Sequence, residues 1–164
     1  MWRGSTCSTR RGAPNPRALA DSARSPYNAG MAFLSSFSVR TRARCEWIDV
    51  SAEVAEAVAI SGVREGICVV FVPHTTAAIT VNENADADVP RDAAFALSAI
   101  SPDRSEFRHG EGNSDAHVKT SLVGPSLTLI VAEGRLLLGT WQGIWFSEHD
   151  GPRARKVHVR VMGE

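Results

Sequence analysis

Ile67-Cys68-Val69-Val70-Phe71-Val72 is an unbroken apolar run set between Gly66 and Pro73. A run that short, rich in β-branched residues and bounded by Gly and Pro, is a strand and not a helix. It reads as a central strand, which needs hydrogen-bonded neighbours on both sides. The rest of the chain supplies them. Phe33, Ser35, Phe37, Val39 and Thr41 alternate with Leu34, Ser36, Ser38, Arg40 and Arg42, which predicts a strand over 33–42 with one buried face. Further strands are predicted at 46–50, 77–81, 126–132, 135–140, 141–147 and 156–162, and Glu133-Gly134 suits a two-residue hairpin turn.

Helical periodicity is confined to short stretches. Ser51 suits an N-cap, Glu53 the first turn, Val54 and Val58 one buried stripe, and Gly62 the stop. Ala93, Ala94, Leu97 and Ile100 share a helical face, with Asp88, Pro90 and Asp92 at its start. Residues 116–122 allow one or two turns before Gly124-Pro125, and 101–115 read as a long polar loop. Neighbouring strands with few crossovers predict a largely antiparallel α+β domain.

Charge divides the chain in two. The 164 residues carry 18 basic and 18 acidic side chains, but residues 1–30 hold five arginines against Asp21 alone. The remaining residues, 31–164, are therefore acidic on balance. No basic excess supports nucleic-acid binding there. No apolar run is long enough to cross a membrane. Residues 1–30 are poor in bulky apolar groups, so disorder is predicted for them, as an N-terminal extension or an upstream mis-assigned start. An Arg-rich, Ser-rich, acid-poor segment also fits a transit peptide. Residues 31–164 read as one domain. Cys7, Cys45 and Cys68 make an odd count without CxxC spacing, which argues against a disulfide framework and favours the cytoplasm.

Four constellations could carry chemistry. His74 follows the apolar run, and His109 and His117 flank a Gly/Asn/Asp-rich loop. Three converging imidazoles would hold a divalent metal with an open position, but their spacing alone equally fits unrelated surface or capping histidines. Glu83 and Asn84 lie between a strand and a helix, where a general base or an orienting carboxylate can sit, or a polar turn and cap. Trp141 and Gln142, between Gly139 and Gly143, could stack on and hydrogen-bond a flat ring, while Trp145 and Phe146 fit a core or subunit interface. Arg153 and Arg155 form a basic spot suited to phosphate, or a solvated strand end.

Three blocks, PHTTAAITVNENADADV, HGEGNSDAHVKTSLVGPSLTL and GRLLLGTWQGIWFSEHDGPRARKVHV, closely resemble the YjbQ family, also called UPF0047. The resemblance spans residues 31–164. It implies an α+β fold of mostly antiparallel, β-sandwich-like sheets with two or three short helices, assembled as a homotrimer. It further implies a thiamine phosphate synthase activity. The family's histidines fall on His74, His109 and His117, implying a divalent-metal site, with zinc the first choice because no redox-specific ligand set is present. Its acidic and amide positions fall on Glu83 and Asn84, with Asn113, Lys119, Trp141 and Gln142 around them. Relatives vary at His149, which is therefore left out of the site.

Three functions follow as expectations. The first is a metal-assisted transferase acting on a small phosphorylated substrate. Glu83, His117 and Lys119 would be catalytic, Arg153, Arg155 or Lys119 would neutralise phosphate, and Asn84, Asn113, Trp141 and Gln142 would bind substrate. The second is a metal-dependent hydrolase of a phosphate or carbonyl compound, with Glu83 as base beside a metal-activated water. The third is a non-catalytic trimer that binds a metal or metabolite, since no covalent nucleophile has an evident paired base.

Overall fold

The computed structural model describes residues 8–11 and 31–163. The elements run β1 (Ser8–Arg11), β2 (Met31–Arg40), β3 (Glu46–Asp49), α1 (Ser51–Ser61), β4 (Gly66–Phe71), β5 (Ala77–Glu83), α2 (Asp88–Ile100), α3 (Ser114–Val123), β6 (Ser126–Ala132), β7 (Arg135–Leu136), β8 (Gln142–Glu148) and β9 (Ala154–Gly163). They build two sheets, ordered β1-β3-β8-β5 and β2-β9-β4-β6-β7. Every pairing is antiparallel except β1 with β3. The domain is the α+β type with three helices.

Period-two alternation sets the layers. Ile48, Ile79, Ile144 and Phe146 on one sheet meet Phe37, Val39, Cys68, Val70, Val157, Val159 and Val161 on the other in a single buried core. Val54, Ala57 and Val58 of α1 complete it. The opposite face of the four-stranded sheet is covered by α2 and α3, and there Trp47 and Trp145 pack on Ala94. Among the described residues no helix lies over the outer face of the five-stranded sheet, and Leu34, Ile67, Phe71 and Ile130 are exposed. The apolar run at 67–72 is thus central in strand order, between β9 and β6, but buried on one face only.

Several boundaries differ from expectation, each for a local reason. Ser51 is the first helical residue and not the cap. Its hydroxyl accepts from the Ile144 N–H at 2.8 Å and so ties α1 to β8. Gly62 ends α1 in the left-handed region, φ 70°. The stretch 135–140 keeps only two strand residues, because the chain turns at 139–142. There the Gly139 N–H donates to the Gln142 side chain at 2.8 Å and the Gln142 N–H to the Gly139 carbonyl at 2.9 Å. Helix α3 is ten residues long and begins at Ser114, which shortens the preceding loop. Glu133 and Gly134 both have positive φ, 54° and 77°, the geometry a tight hairpin requires.

The predicted disorder of residues 1–30 does not hold at residues 8–11. Their backbone pairs with β3, and the Ser8 N–H donates to the Cys45 carbonyl at 3.1 Å. Ladder bonds come from the backbone and need no apolar side chains, which composition cannot anticipate. The other residues of that segment lie outside the described ones. Cys45 is disulfide-bonded, which corrects the expectation drawn from the odd cysteine count. Cys68 is free and buried, and burial pushes its thiol up to about 11, so it is a packing residue as expected. Among the described residues no helix is long and apolar enough to cross a membrane.

Candidate functional site

The C-terminal end of β8 turns two neighbouring side chains to opposite sides of its sheet. Glu148 points inward with Ile144 and Phe146, and His149 points outward towards α3. Glu148 is fully buried and fully engaged. Arg155 donates through Nε at 2.7 Å and through Nη2 at 2.6 Å, closing a bidentate pair between the sheets. Thr41 donates to the same carboxylate at 3.2 Å, and the His149 and Asp150 N–H groups donate at 3.1 and 2.9 Å. Arg155 also donates to the Thr76 hydroxyl at 2.8 Å. This pair is a structural clamp: the Glu148 carboxylate accepts five hydrogen bonds, and Arg155 gives three.

Beyond it runs a chain of alternating charges. Lys119 and Asp115, one helical turn apart on α3, pair at 2.8 Å and are both buried. Arg44 reaches Asp115 at 3.0 Å and Asp150 at 3.9 Å. Arg153 closes on Asp150 at 2.6 Å. Asn113 donates to the same Asp150 carboxylate at 2.8 Å. Burial alone would raise the Asp150 carboxyl. The hydrogen bonds from Asn113 and Arg153 and the charges of Arg153 and Arg44 outweigh that and hold it below its ordinary value. The strip holds three cations and two carboxylates, and a third carboxylate, Glu111, lies beside it: it accepts from Asn113 Nδ2 at 3.4 Å, and its charge also acts on Arg153. The Arg44 and Arg153 side chains are 47% and 51% exposed, which puts two guanidiniums at the surface over a shared buried acid.

Behind this strip lies a layer of unpaired polar atoms. Trp47 Nε1, Asn113 Oδ1, Thr120 Oγ1, Ser147 Oγ and both ring nitrogens of His149 are buried without a hydrogen-bond partner. His149 is 2% exposed. Burial, then Lys119, lowers its pKa to about 3 against the opposing pull of Asp115, so the ring is neutral near pH 7.

The remaining expected site residues sit elsewhere. Glu83 pairs with Gln142, and Ala77 with Glu148, so these are opposite ends of one ladder. Six residue steps separate them, about 20 Å. At the far end Asn84 donates to Asp49 at 3.3 Å and lies against Gly143, where a Cβ would come within 2.6 Å of it. The Glu83 carbonyl accepts from Trp145 Nε1 at 3.1 Å. Gln142 braces its own turn, and Trp141 is exposed. Within one chain, therefore, Asn113, Lys119, Arg153 and Arg155 come together, and Glu83, Asn84, Trp141 and Gln142 form a separate group.

The three histidines do not make a metal site. His109 and His117 meet edge to face with ring centroids 5.1 Å apart. His74 lies by β9, where its Nε2 accepts the Lys156 N–H at 2.8 Å and has no lone pair left for a metal. Burial, then Arg155, lowers the His74 pKa. Among the described residues no three His, Cys, Asp or Glu side chains are grouped to hold a metal ion. Among the described residues of one chain, His74, His109 and His117 are not grouped to hold the divalent metal that the resemblance implied.

The sequence profile of the family described as UPF0047 protein YjbQ-like matches residues 35–164. The chain belongs to the UPF0047 family. The UPF0047 protein MJ1081 of Methanocaldococcus jannaschii is 49% identical over 131 residues, covering 80% of this chain and 95% of that protein. YugU of Bacillus subtilis is 46% identical, covering 79% and 99%. The fold matches a crystal structure of an uncharacterised YjbQ/UPF0047 protein from Clostridium acetobutylicum, at TM-score 0.75, 51% identity, and 77% and 98% coverage. It also matches a YbjQ-like protein of unknown function from Sulfolobus solfataricus, at TM-score 0.78, 32% identity, and 81% and 98% coverage.

These findings overturn the expected thiamine phosphate synthase-like function and its metal-dependent alternatives. The relatives are described by family alone, the matched structures as uncharacterised or of unknown function, and the histidine triad is not assembled.

Arg44, Asp115, Asp150 and His149 are the members of the charged end that sequence reasoning missed. The Asp115/Lys119 spacing was a readable signal. Arg44 had none, because it reaches the site from a loop 71 residues away in sequence from Asp115.

Proposed function

We propose that the charged end of the β5–β8 ladder is an oxyanion site, that its ligand is a small phosphorylated metabolite, and that the chain is an enzyme acting on it. One observation carries this reading. Lys119, Asp115, Arg44, Asp150 and Arg153 alternate in sign and begin and end on a cation, with the two guanidiniums half exposed. A phosphate over Arg44 and Arg153 sets its negative charge against the two half-exposed guanidiniums, and the guanidinium fork matches its oxygens. Lys119 makes one hydrogen bond, to Asp115, and in this reading is the group that hands on a proton.

Titration of inorganic phosphate into the full chain tests the reading. Wild type binds, and Arg44→Ala and Arg153→Ala each weaken binding about tenfold or more, the loss expected of a charge-assisted contact. Unchanged binding in both variants would remove the site.

Self-association belongs to the same reading. The uncovered apolar face of the five-stranded sheet, with Leu34, Ile67, Phe71 and Ile130 exposed, suits a further copy of the chain. A homotrimer is the expected mass by light scattering. A monomer at all concentrations would contradict it.

A further inference from the structure

The unpaired polar atoms behind the charge strip are not scattered. Ser147 and His149 lie on the same outward face of β8, which α3 covers from β5. Ser147 pairs directly with Trp47 on β3 and with Ala78 on β5. Asn113 stands at the N-cap of α3 and Thr120 on its buried side, flanking Asp115 and Lys119. Six orphaned atoms thus share one layer, between the four-stranded sheet and its covering helices. Each buried, unpaired donor or acceptor costs about 1–3 kcal/mol, and native proteins keep such groups few. So many in one layer imply a common partner.

The layer's chemistry restricts that partner. Trp47 Nε1 only donates and Asn113 Oδ1 only accepts. The Ser147 and Thr120 hydroxyls do either, and a neutral His149 offers one donor and one acceptor. None of these atoms is charged, so the layer offers no counter-charge to a second phosphate, and among the described residues no three His, Cys, Asp or Glu side chains are grouped there for a metal ion. An apolar group would leave every one of them unpaired. Hydroxyl groups, which donate and accept at once, satisfy them all.

Resting on the oxyanion reading above, we infer that this layer receives the hydroxylated body of the ligand, so that the substrate class is a phosphorylated polyol. The phosphate stays on Arg44 and Arg153, and the hydroxyls reach past Lys119 to His149, Ser147 and Thr120. His149 and Ser147 are then specificity-determining residues. The layer is closed at rest: its six polar atoms are all buried.

The test compares glycerol 3-phosphate with methyl phosphate on the full chain, by titration calorimetry. Both carry the same charged group, and only the first carries the hydroxyls. Wild type is expected to bind glycerol 3-phosphate about tenfold or more tightly than methyl phosphate, because buried polar groups reject an analogue that leaves them unpaired. Ser147→Ala and His149→Phe are expected to bring that ratio towards one while methyl phosphate binding holds. Equal affinity of the two compounds for wild type overturns the inference, and needs no variant to fold. In that case binding that Arg153→Ala still abolishes leaves the oxyanion site standing, and the layer holds water alone. Failure of both compounds to bind wild type overturns the oxyanion reading and this inference together.

Discussion

The two ends of the β5–β8 ladder are built from similar residue types and use them in opposite ways. At the Glu83–Gln142 end, polar side chains brace their own backbone: Gln142 closes a turn, and Asn84 ties to Asp49 over Gly143. At the Ala77–Glu148 end, charges are buried together and neutral polar atoms are left without partners. Satisfied polar groups near solvent hold loops in place. Concentrated, buried and incompletely satisfied ones carry the proposed oxyanion site. Polar residue type alone did not separate the two ends, and partner accounting does.

The largest effect that can break this comparison is at the clamp. Arg155→Met leaves Glu148 buried and uncompensated, and is expected to cost about 3–5 kcal/mol in urea unfolding. Gln142→Ala at the opposite end removes one exposed hydrogen bond and is expected to cost about 1 kcal/mol. Equal losses would mean that the two ends are energetically alike.

Acid sharpens the comparison next. The folded His149 value, pushed down to about 3 by burial and then by Lys119, lies below its ordinary 6.5. Between those values the unfolded chain takes up a proton that the folded chain refuses. The stability is therefore complete above about pH 6.5 and falls by about 1.4 kcal/mol per pH unit as the pH drops towards 3. Urea midpoints measured from pH 7 down to 4.5 should show this slope in wild type, and His149→Phe should flatten it. Asp150 works in the same direction at lower pH: its depressed value makes its contribution complete above the ordinary carboxylate range and lost as the pH falls through the folded value.

Two smaller changes probe the far end. Gly143→Ala drives a Cβ into the Asn84 side chain and is expected to cost about 1–3 kcal/mol. Trp141→Ala, at a residue 63% exposed, should change stability by less than about 0.5 kcal/mol.

Much of the fold was legible in the sequence, because period-two alternation directly sets which face of each strand is buried. Phe37 and Val39, Val157 and Val159, and the hairpin at Glu133-Gly134 all follow from it. The strand at 8–11 was not legible, because its pairing is made by backbone and leaves no apolar trace. Of the candidate site, the local signals survived. Lys119 and Asp115 share a helical face, and Arg153 and Arg155 sit at a strand start. What failed was convergence over distance. His74 and His117 looked like partners, but a backbone N–H occupies one and another ring lies against the other. Arg44 and His149 looked unrelated, and the fold places both beside Asp115. Position along a strand decides which end of a ladder a residue reaches, and motif spacing does not encode it.

The most direct measurement is a crystal structure of the full chain grown with inorganic phosphate. The account predicts phosphate density between the Arg44 and Arg153 guanidiniums, over Asp150. Phosphate held instead at the Glu83–Trp141 end, or at neither, would contradict it.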